Sequence, residues 1–345
     1  MLKIHSRSVV IFLFCYMLTN AIQAERPIRV LSIDGGGIRG LIPAVVLDTI
    51  EKKTNKPISQ VFDLIAGSST GGMIALALTA PNAQGKPVQT AHQVVNFYLE
   101  HGDMVFHTSF MHWLKTLGGL IGPRYESAGL TQIFNSYLGD TMLSEALTPT
   151  LITGYHLDGQ VGVEFYSEDA LKYPEDRDCL MREVALATSA APVYFDVADV
   201  QFKWGKLEAI ADGCLYKLNP AMLGYVHAKK MYPNRTIEVY SLGTGQSSAE
   251  DLTMATKGRG IMHWLSPAVR HVLHGHTESD DSALHQMLNN EAQQNYFRLN
   301  VRIDREHNEL DDISKENISY LYSRAQALTK STIFQDVMER LSVDE

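Results

Sequence analysis

Apolar runs of strand length alternate along the chain with stretches in which apolar residues recur at helical spacing. Short apolar runs between turn residues are typical of buried strands, and spacing of three and four residues indicates amphipathic helices. Their alternation predicts an α/β fold, a three-layer α/β/α sandwich with a mostly parallel central sheet. The predicted strands lie at residues 28–33, 61–67, 147–157, 161–167, 207–212 and 237–245.

The end of the chain has a helical pattern. Residues 314–342 follow this pattern after Ser314, a residue type that often caps helix N-termini. The sequence has no internal repeat, low-complexity tract or stretch typical of an interdomain linker. We therefore predict one domain over residues 25–345, with a core at about 27–245 and a C-terminal helical region at about 250–345.

The first 24 residues have the pattern of a secretory signal peptide. Lys3 and Arg7 precede an apolar segment at residues 9–18, and Ala24 stands at the expected cleavage point. The sequence therefore predicts export, either secretion or transfer to a periplasm. An uncleaved membrane anchor is the alternative, but the apolar segment is short for a membrane span.

The chain is acidic, with 30 Lys and Arg against 39 Asp and Glu and a formal net charge of −9. Removal of residues 1–24 leaves 28 basic residues and a net charge of −11. This balance argues against a nucleic-acid partner and against polybasic binding to anionic lipid. Cys179 and Cys214 remain in the mature chain, and the sequence does not decide whether they form a disulfide.

A glycine-rich turn follows the first predicted strand. Gly35, Gly37 and Gly40 fit G-x-G-x-x-G, a pattern by which a strand-to-helix turn binds the pyrophosphate of a dinucleotide. The same backbone N–H groups are equally suited to the oxyanion of a reacting ester. The turn alone does not decide between the two.

A second glycine motif follows the next strand. Gly67, Ser69 and Gly71 fit G-x-S-x-G, the nucleophile elbow, which needs small residues two positions before and after the serine. A predicted strand before it and a helix after it provide the required context, whereas a plain turn rich in small residues is the alternative. Ser69 would lie near a helix N-terminus, where the dipole stabilises negative charge on its oxygen.

The elbow changes the interpretation of the first turn. A dinucleotide site needs an acidic residue near the end of the second strand, but this strand ends in small residues and its one acid, Asp63, is in the middle. A soluble nicotinamide cofactor is also out of place in an exported protein. We therefore expect no cofactor, and an oxyanion hole formed by the N–H groups of Gly35, Gly36 and Gly37 beside Ser69.

A serine nucleophile needs a proton acceptor. Asp212 ends an apolar stretch, and Gly213 after it permits a close approach to Ser69. An ordinary aspartate has a pKa of about 3.9, so burial would have to raise the pKa before Asp212 acts as a base at neutral pH. The alternative is a turn residue with no chemical role.

Taken together, the motifs resemble those of patatin-like lipid acyl hydrolases. The similarity covers about residues 27–245 and extends to residues 309–321. It is carried, in order and approximate spacing, by "DGGGIRG" (34–40), "GSSTGG" (67–72), "ATSAAPVYF" (187–195), "DGCLYKLNP" (212–220) and "SLGTG" (241–245).

The resemblance implies a Ser–Asp dyad without histidine, in which Ser69 is the nucleophile and Asp212 accepts its proton. It also implies that the oxyanion hole lies in the turn from Gly35 to Gly40, with Arg39 as its basic residue. The implied substrate is a lipid ester, met by transient contact with a membrane or micelle surface, and the mechanism needs no metal. In two departures from the family pattern, Cys214 replaces a usual Gly or Ala and Leu218 a usual Asn.

The sequence is also compatible with two other functions. A Ser-Asp-His triad esterase would use a later histidine, and His227 and His263 have suitable chain order. A non-catalytic lipid-binding or storage protein on the same fold would need no base at all.

Three weaker patterns also have two interpretations each. The aromatic-rich residues 104–121 favour a core helix over a lid or lipid-contacting surface. Arg39 is suited either to binding substrate phosphate or to a structural cap. The histidines of the segment "HVLHGH" match no zinc spacing, so a polar helix face is favoured over a metal site: His271, His274 and His276.

Overall fold

Within the described residues of the computed structural model, the central sheet has eight strands. The structure describes residues 26–342 except 101, 107–108, 117–121, 248–260 and 292, so the predicted signal peptide lies outside the described residues. The sheet contains β1 Ile28–Ile33, β2 Leu64–Gly67, β3 Thr150–His156, β4 Val161–Tyr166, β5 Ala198–Phe202, β6 Gly205–Asp212, β7 Ile237–Leu242 and β9 Tyr296–Leu299. A separate two-stranded ladder pairs β8 Gln246–Ser247 with β10 Arg302–Ile303.

The middle of the sheet is parallel. β3, β2, β1, β7 and β9 follow one another with parallel pairing at each step, and β4 and β6 pair antiparallel with β3. Every residue of β1 and β7 is buried, as expected for parallel strands that carry helices on both faces.

Helices cover both faces of this sheet, which confirms the predicted three-layer α/β/α sandwich. Alternate residues of β1 enter different cores: Leu31 and Ile33 belong to the larger, Ile28 and Val30 to the smaller. The helices are α1 Leu41–Thr54, α2 Ile58–Val61, α3 Thr70–Thr79, α4 Ala91–Glu100, α5 Gly102–Val105, α6 Phe110–Thr116, α7 Ala128–Leu138, α8 Ser167–Lys172, α9 Pro174–Arg177, α10 Met181–Thr188, α11 Ala221–Met231, α12 Ile261–Leu288, α13 Lys315–Leu328 and α14 Thr332–Ser342.

The β3 strand exchanges partners along one of its edges. β4 occupies one edge over residues 151–156. On the other edge, β2 pairs with residues 150–152 and β6 with residues 154–156, running in the opposite direction. The C-terminal ends of β2 and β6 therefore point toward each other on either side of Thr153.

The first strand has the predicted bounds, and the other expected elements lie near theirs or differ. The first strand lies at residues 28–33 as predicted, and Ser314 caps α13 by accepting a hydrogen bond from the N–H of Asn317 at 3.2 Å. The second strand begins only at Leu64, because Val61 belongs to α2 and Phe62 follows the end of that helix. The C-terminal region is not purely helical, since β9 joins the central sheet beside β7.

The aromatic-rich segment has both packed and exposed side chains. Phe106 packs against Tyr125 and Phe195, with ring centroids 5.5 and 6.2 Å apart, as expected for a core segment. Met104 and Met111 are 39% and 58% exposed, and Leu117 lies outside the described residues. Among the helices described, none combines the length and apolar character needed to cross a membrane.

Candidate active site

Ser69 occupies a strained turn between β2 and α3. Its φ and ψ are 53° and −126°, a region that non-glycine residues enter at an energetic cost and mainly at functional sites. A Cβ on Gly71 would lie 2.1 Å from the Ile33 carbonyl oxygen, and one on Gly67 would lie 2.4 Å from that of Gly71. Both glycines are therefore required by the tight turn that projects the serine.

The Ser69 hydroxyl donates directly to Asp212. Ser69 Oγ lies 2.6 Å from Asp212 Oδ2, while the other carboxylate oxygen accepts the Cys214 N–H at 2.7 Å. Asp212 is 1% exposed, whereas Ser69 is only partly buried. The arrangement leaves the hydroxyl open to substrate and hides its acceptor from water.

Backbone contacts hold both residues in place. The Ser69 N–H donates to Thr188 Oγ1 at 2.8 Å, and the Asp212 N–H donates to the Ala190 carbonyl at 2.9 Å. The C-terminal end of α10 and the residues just after it thus contact both halves of the pair. A Cβ on Gly213 would lie 2.1 Å from Thr153 Oγ1, which explains the glycine after Asp212.

Burial raises the pKa of Asp212 from its ordinary value of 3.8 to about 6, although hydrogen bonds from Ser69 and from Cys214 oppose the shift. The carboxyl is thus a stronger base than an exposed aspartate and is still ionised at neutral pH.

Cys179 and Cys214 are both free thiols, so the disulfide that the sequence left undecided does not form.

The glycine-rich turn lies beside Ser69, since a Cβ on Gly35 would be 3.0 Å from that of Ser69. The predicted set of oxyanion donors needs one correction. The Gly35 N–H already donates to the Leu218 carbonyl at 3.0 Å, which removes it from the set. The N–H groups of Gly36 and Gly37 donate to no group in the part of the chain that the structure describes.

Residues far along the chain fix this turn. Thr244 Oγ1 donates to the Gly35 carbonyl at 2.7 Å, and the Ile38 N–H donates to the Leu310 carbonyl at 2.9 Å. Gly37 has a φ of +57°, and a Cβ there would lie 2.3 Å from the Leu310 oxygen. The close approach and the positive φ both require glycine.

Asp34, immediately before the turn, forms a buried ion pair with Arg298 of β9. The two guanidinium nitrogens lie 3.0 and 2.6 Å from the two carboxylate oxygens, and one of them also donates to Ser241 Oγ at 2.8 Å. This two-pronged geometry fixes the orientation of the carboxylate. Sequence analysis missed Arg298, because it lies 264 residues away in a four-residue strand.

Arg39 and Gly40 have packing contacts. The Arg39 guanidinium donates to the side chain and carbonyl of Asn308, and its Nε lies 3.4 Å from the Gly36 carbonyl. These contacts favour the structural cap over a substrate ligand. Position 40 has room only for glycine, because a Cβ there would lie 2.4 Å from Tyr98 Oη.

One of the histidine candidates pairs with a glutamate, and most of the others lie outside the described residues. His227 Nε2 lies 2.7 Å from Glu164 Oε2, and its ring packs edge-on against Tyr166. The side chains of His263, His271 and His274 lie outside the described residues, and His276 is exposed. Within the described ranges, no three His, Cys, Asp or Glu side chains are grouped to hold a metal ion.

Comparison with known proteins decides the family. The model of the family described as patatin-like phospholipase matches residues 31–224. Patatin-like protein 2 of Arabidopsis thaliana is 32% identical, over 89% of this chain and 84% of its own length. The chain belongs to the patatin-like phospholipase family. Patatin group M-3 of Solanum tuberosum is 28% identical, over 97% of this chain and 92% of its own length.

Family membership supports lipid acyl hydrolase activity on lipid substrates in general. The region matched by the patatin-like model includes Ser69 and Asp212 but ends before Thr244, Arg298 and Leu310, which hold the glycine turn. The structure of VipD from Legionella pneumophila aligns with a TM-score of 0.38 at 10% identity, over 88% of this chain and 67% of that one.

Proposed function

We propose that this patatin-like protein hydrolyses the acyl ester bonds of lipids, as a phospholipase A or lysophospholipase, through a Ser69–Asp212 dyad. The observation that carries the proposal is the 2.6 Å contact between Ser69 Oγ and Asp212 Oδ2 at a strained elbow. The hydroxyl of Ser69 is partly exposed, and the carboxylate of Asp212 is buried and has a raised pKa. These are the properties of a nucleophile and its base.

In the first half of the reaction, Ser69 Oγ attacks the ester carbonyl carbon while its proton passes to Asp212. The electron pair of the carbonyl moves to its oxygen, and the N–H groups of Gly36 and Gly37 stabilise that oxyanion. Collapse of the tetrahedral intermediate breaks the bond to the alcohol or lysolipid oxygen, which takes the proton from Asp212. An acyl-enzyme on Ser69 remains.

Water completes the cycle. Asp212 accepts a proton from the water that attacks the acyl-enzyme, and the second tetrahedral oxyanion occupies the same two N–H groups. Its collapse releases the fatty acid, and the proton on Asp212 returns to Ser69 Oγ. Each step uses a group of this chain, the substrate or water.

The enzyme acts after export, at a lipid surface. The signal pattern of residues 1–24 supports an exported enzyme that meets lipid through transient contact with a membrane or micelle surface. The acidic mature chain favours zwitterionic or uncharged lipid over anionic lipid.

Labelling with a fluorescent fluorophosphonate tests the proposal. The wild-type protein should be labelled and Ser69→Ala should not. Ser68→Ala is the matched control, because Ser68 is the neighbouring hydroxyl but is buried, and this variant should be labelled like the wild type. An unreactive wild-type protein would overturn the enzyme proposal and favour a lipid-binding protein.

A further inference from the structure

Lys217 and Asp280 form an ion pair that joins the segment after the proposed base to the long helix α12. Lys217 Nζ lies 2.9 and 2.8 Å from the two carboxylate oxygens of Asp280. Asp280 is 9% exposed, and the Lys217 side chain is 26% exposed. Salt and water weaken such a shielded pair less than a pair on the open surface. The pair therefore holds residue 217 in place against α12.

The backbone around Lys217 contacts both halves of the proposed site. The Lys217 N–H donates at 2.8 Å to the carbonyl of Gly213, the residue that directly follows the proposed base. Leu218, the next residue, accepts the Gly35 N–H at its carbonyl at 3.0 Å. A Cβ on Gly35 would lie 2.7 Å from Leu218 Cδ1 and 3.0 Å from Ser69 Cβ. Lys217 thus connects the turn of the base to the residue that holds the glycine-rich turn beside the nucleophile.

The next residue of α12 contacts the partners of the same glycine-rich turn on its other side. Asp281 accepts a hydrogen bond from Tyr296 Oη at 2.5 Å and lies 3.9 Å from Arg298 Nε. Arg298 in turn pairs with Asp34, the residue before Gly35. Two consecutive acids of one helix are therefore linked to Asp34 and Gly35 through different partners. Together these contacts oppose a shift of the glycine-rich turn relative to the nucleophile.

We propose that Lys217 and Asp280 are positioning residues for the proposed oxyanion turn. Their ion pair holds the Leu218 carbonyl where it accepts the Gly35 N–H, and the two N–H groups that follow Gly35 then face the developing oxyanion. The inference rests on the proposed function and adds to it two residues that do not touch the reacting atoms. The effect is large because a misplacement of about 1 Å can lower a rate about a hundredfold.

Removal of the lysine charge tests this role in the active enzyme. Lys217→Met keeps most of the side-chain length but loses the ion pair, so kcat for p-nitrophenyl butyrate should fall at least about tenfold. KM should change less than about twofold, because the oxyanion forms only in the transition state. Lys217→Arg, which can pair with the same carboxylate, should keep kcat within about threefold of the wild type. Lys52→Met, at the exposed pair with Asp48, is the matched control and should change neither constant.

The pH profile separates this role from an effect on the base. The burial and the hydrogen bonds that set the pKa of Asp212 involve neither Lys217 nor Asp280. The acid limb of Lys217→Met should therefore keep its midpoint near pH 6. Asp280→Asn should also combine a lower kcat with an unmoved midpoint. A midpoint that moves in either variant would overturn the inference, because the pair would then act on the base.

Amide hydrogen exchange follows the glycine-rich turn without turnover. In peptides that cover residues 34–40, the Lys217→Met protein should exchange at least about tenfold faster than the wild type, and the Lys52→Met protein should not. Peptides of α13 should exchange at the wild-type rate, which excludes a general loss of stability.

These exchange rates also separate the inference from the proposed function. A wild-type protein that hydrolyses no ester contradicts the proposed function, but exchange at residues 34–40 still decides the role of the ion pair. Unchanged exchange there, or an unchanged kcat of Lys217→Met in an active protein, would overturn the inference. If Lys217→Met does not fold, Asp280→Asn provides the same comparison.

Discussion

Ser69 and Asp212 meet because the strands that precede them end toward each other along one edge of β3. Gly67 is opposite Ile152, and Asp212 is opposite Gly154, so only Thr153 separates the two ends. Strand pairing therefore brings the two strand ends together, and the strained turn at Ser69 completes the contact between hydroxyl and carboxylate. Sites built on paired strands are held more precisely than sites on loops.

The raised pKa of Asp212 predicts the acid limit of activity. The proposed proton acceptor must be ionised, so kcat/KM for a soluble ester should be constant above pH 7 and fall tenfold per pH unit below about 6. A pH series with p-nitrophenyl butyrate from pH 4.5 to 8 measures this limb. A midpoint near 4, as for an exposed aspartate, would contradict the burial argument.

The same shift predicts a gain in stability on removal of the charge. The folded-state pKa lies above the ordinary value of 3.8, so ionised Asp212 lowers the free energy of unfolding at neutral pH by about 3 kcal/mol. This loss disappears as the pH falls from about 6 to about 4, where the group is protonated in both states. Urea unfolding of Asp212→Asn should show higher stability than the wild type at pH 7.5 and a smaller difference at pH 4.5.

His227 should have little effect on catalysis. Its side chain is bonded to Glu164 rather than to the dyad, so His227→Ala should keep kcat/KM within a few-fold of the wild type. Ser69→Ala and Asp212→Ala should each lower it by at least about a thousandfold, and the double variant should be no worse, because the two residues act as a unit. Loss of the acyl-enzyme in His227→Ala would instead support a triad.

Gly71→Ala should disrupt the elbow. The added Cβ would lie 2.1 Å from a backbone oxygen of β1, so the turn that projects Ser69 must shift. We expect both the rate of fluorophosphonate labelling and the melting temperature to fall. Gly275→Ala in α12 is the matched control, since no atom of the described residues lies within 4 Å of its Cβ position, and it should leave labelling unchanged and raise stability by about 0.5–1 kcal/mol. Similar behaviour of the two variants would contradict the steric argument.

Arg298→Met should be strongly destabilising. It leaves the buried carboxylate of Asp34 without its partner, and breaking a buried pair costs about 3–5 kcal/mol. Adding Asp34→Asn should recover part of the loss in urea unfolding. The control is Lys203→Met at the exposed pair with Glu175, which should change stability by less than about 1 kcal/mol. Equal losses for the two cations would show that the buried pair has no special role.

Local patterns predicted the parts of the site that are local. The elbow around Ser69 needs only a strand, a helix and small neighbours, and all three are contiguous in the sequence. The hydrogen bond from Gly35 to Leu218 and the ion pair from Asp34 to Arg298 join distant segments, and no local pattern encodes such pairs. The short strand β9 was missed for a different reason, because four residues that include an arginine give little periodic signal.

The contacts that shape the glycine turn have a consequence for how the protein is made. Arg298 and Leu310 lie near the end of the chain, whereas β2, Ser69 and α3 have all been synthesised by residue 79. During synthesis the residues of the proposed nucleophile turn are therefore made long before the residues that hold the proposed oxyanion turn in place. The proposed hydrolase activity therefore requires almost the whole polypeptide to have been made.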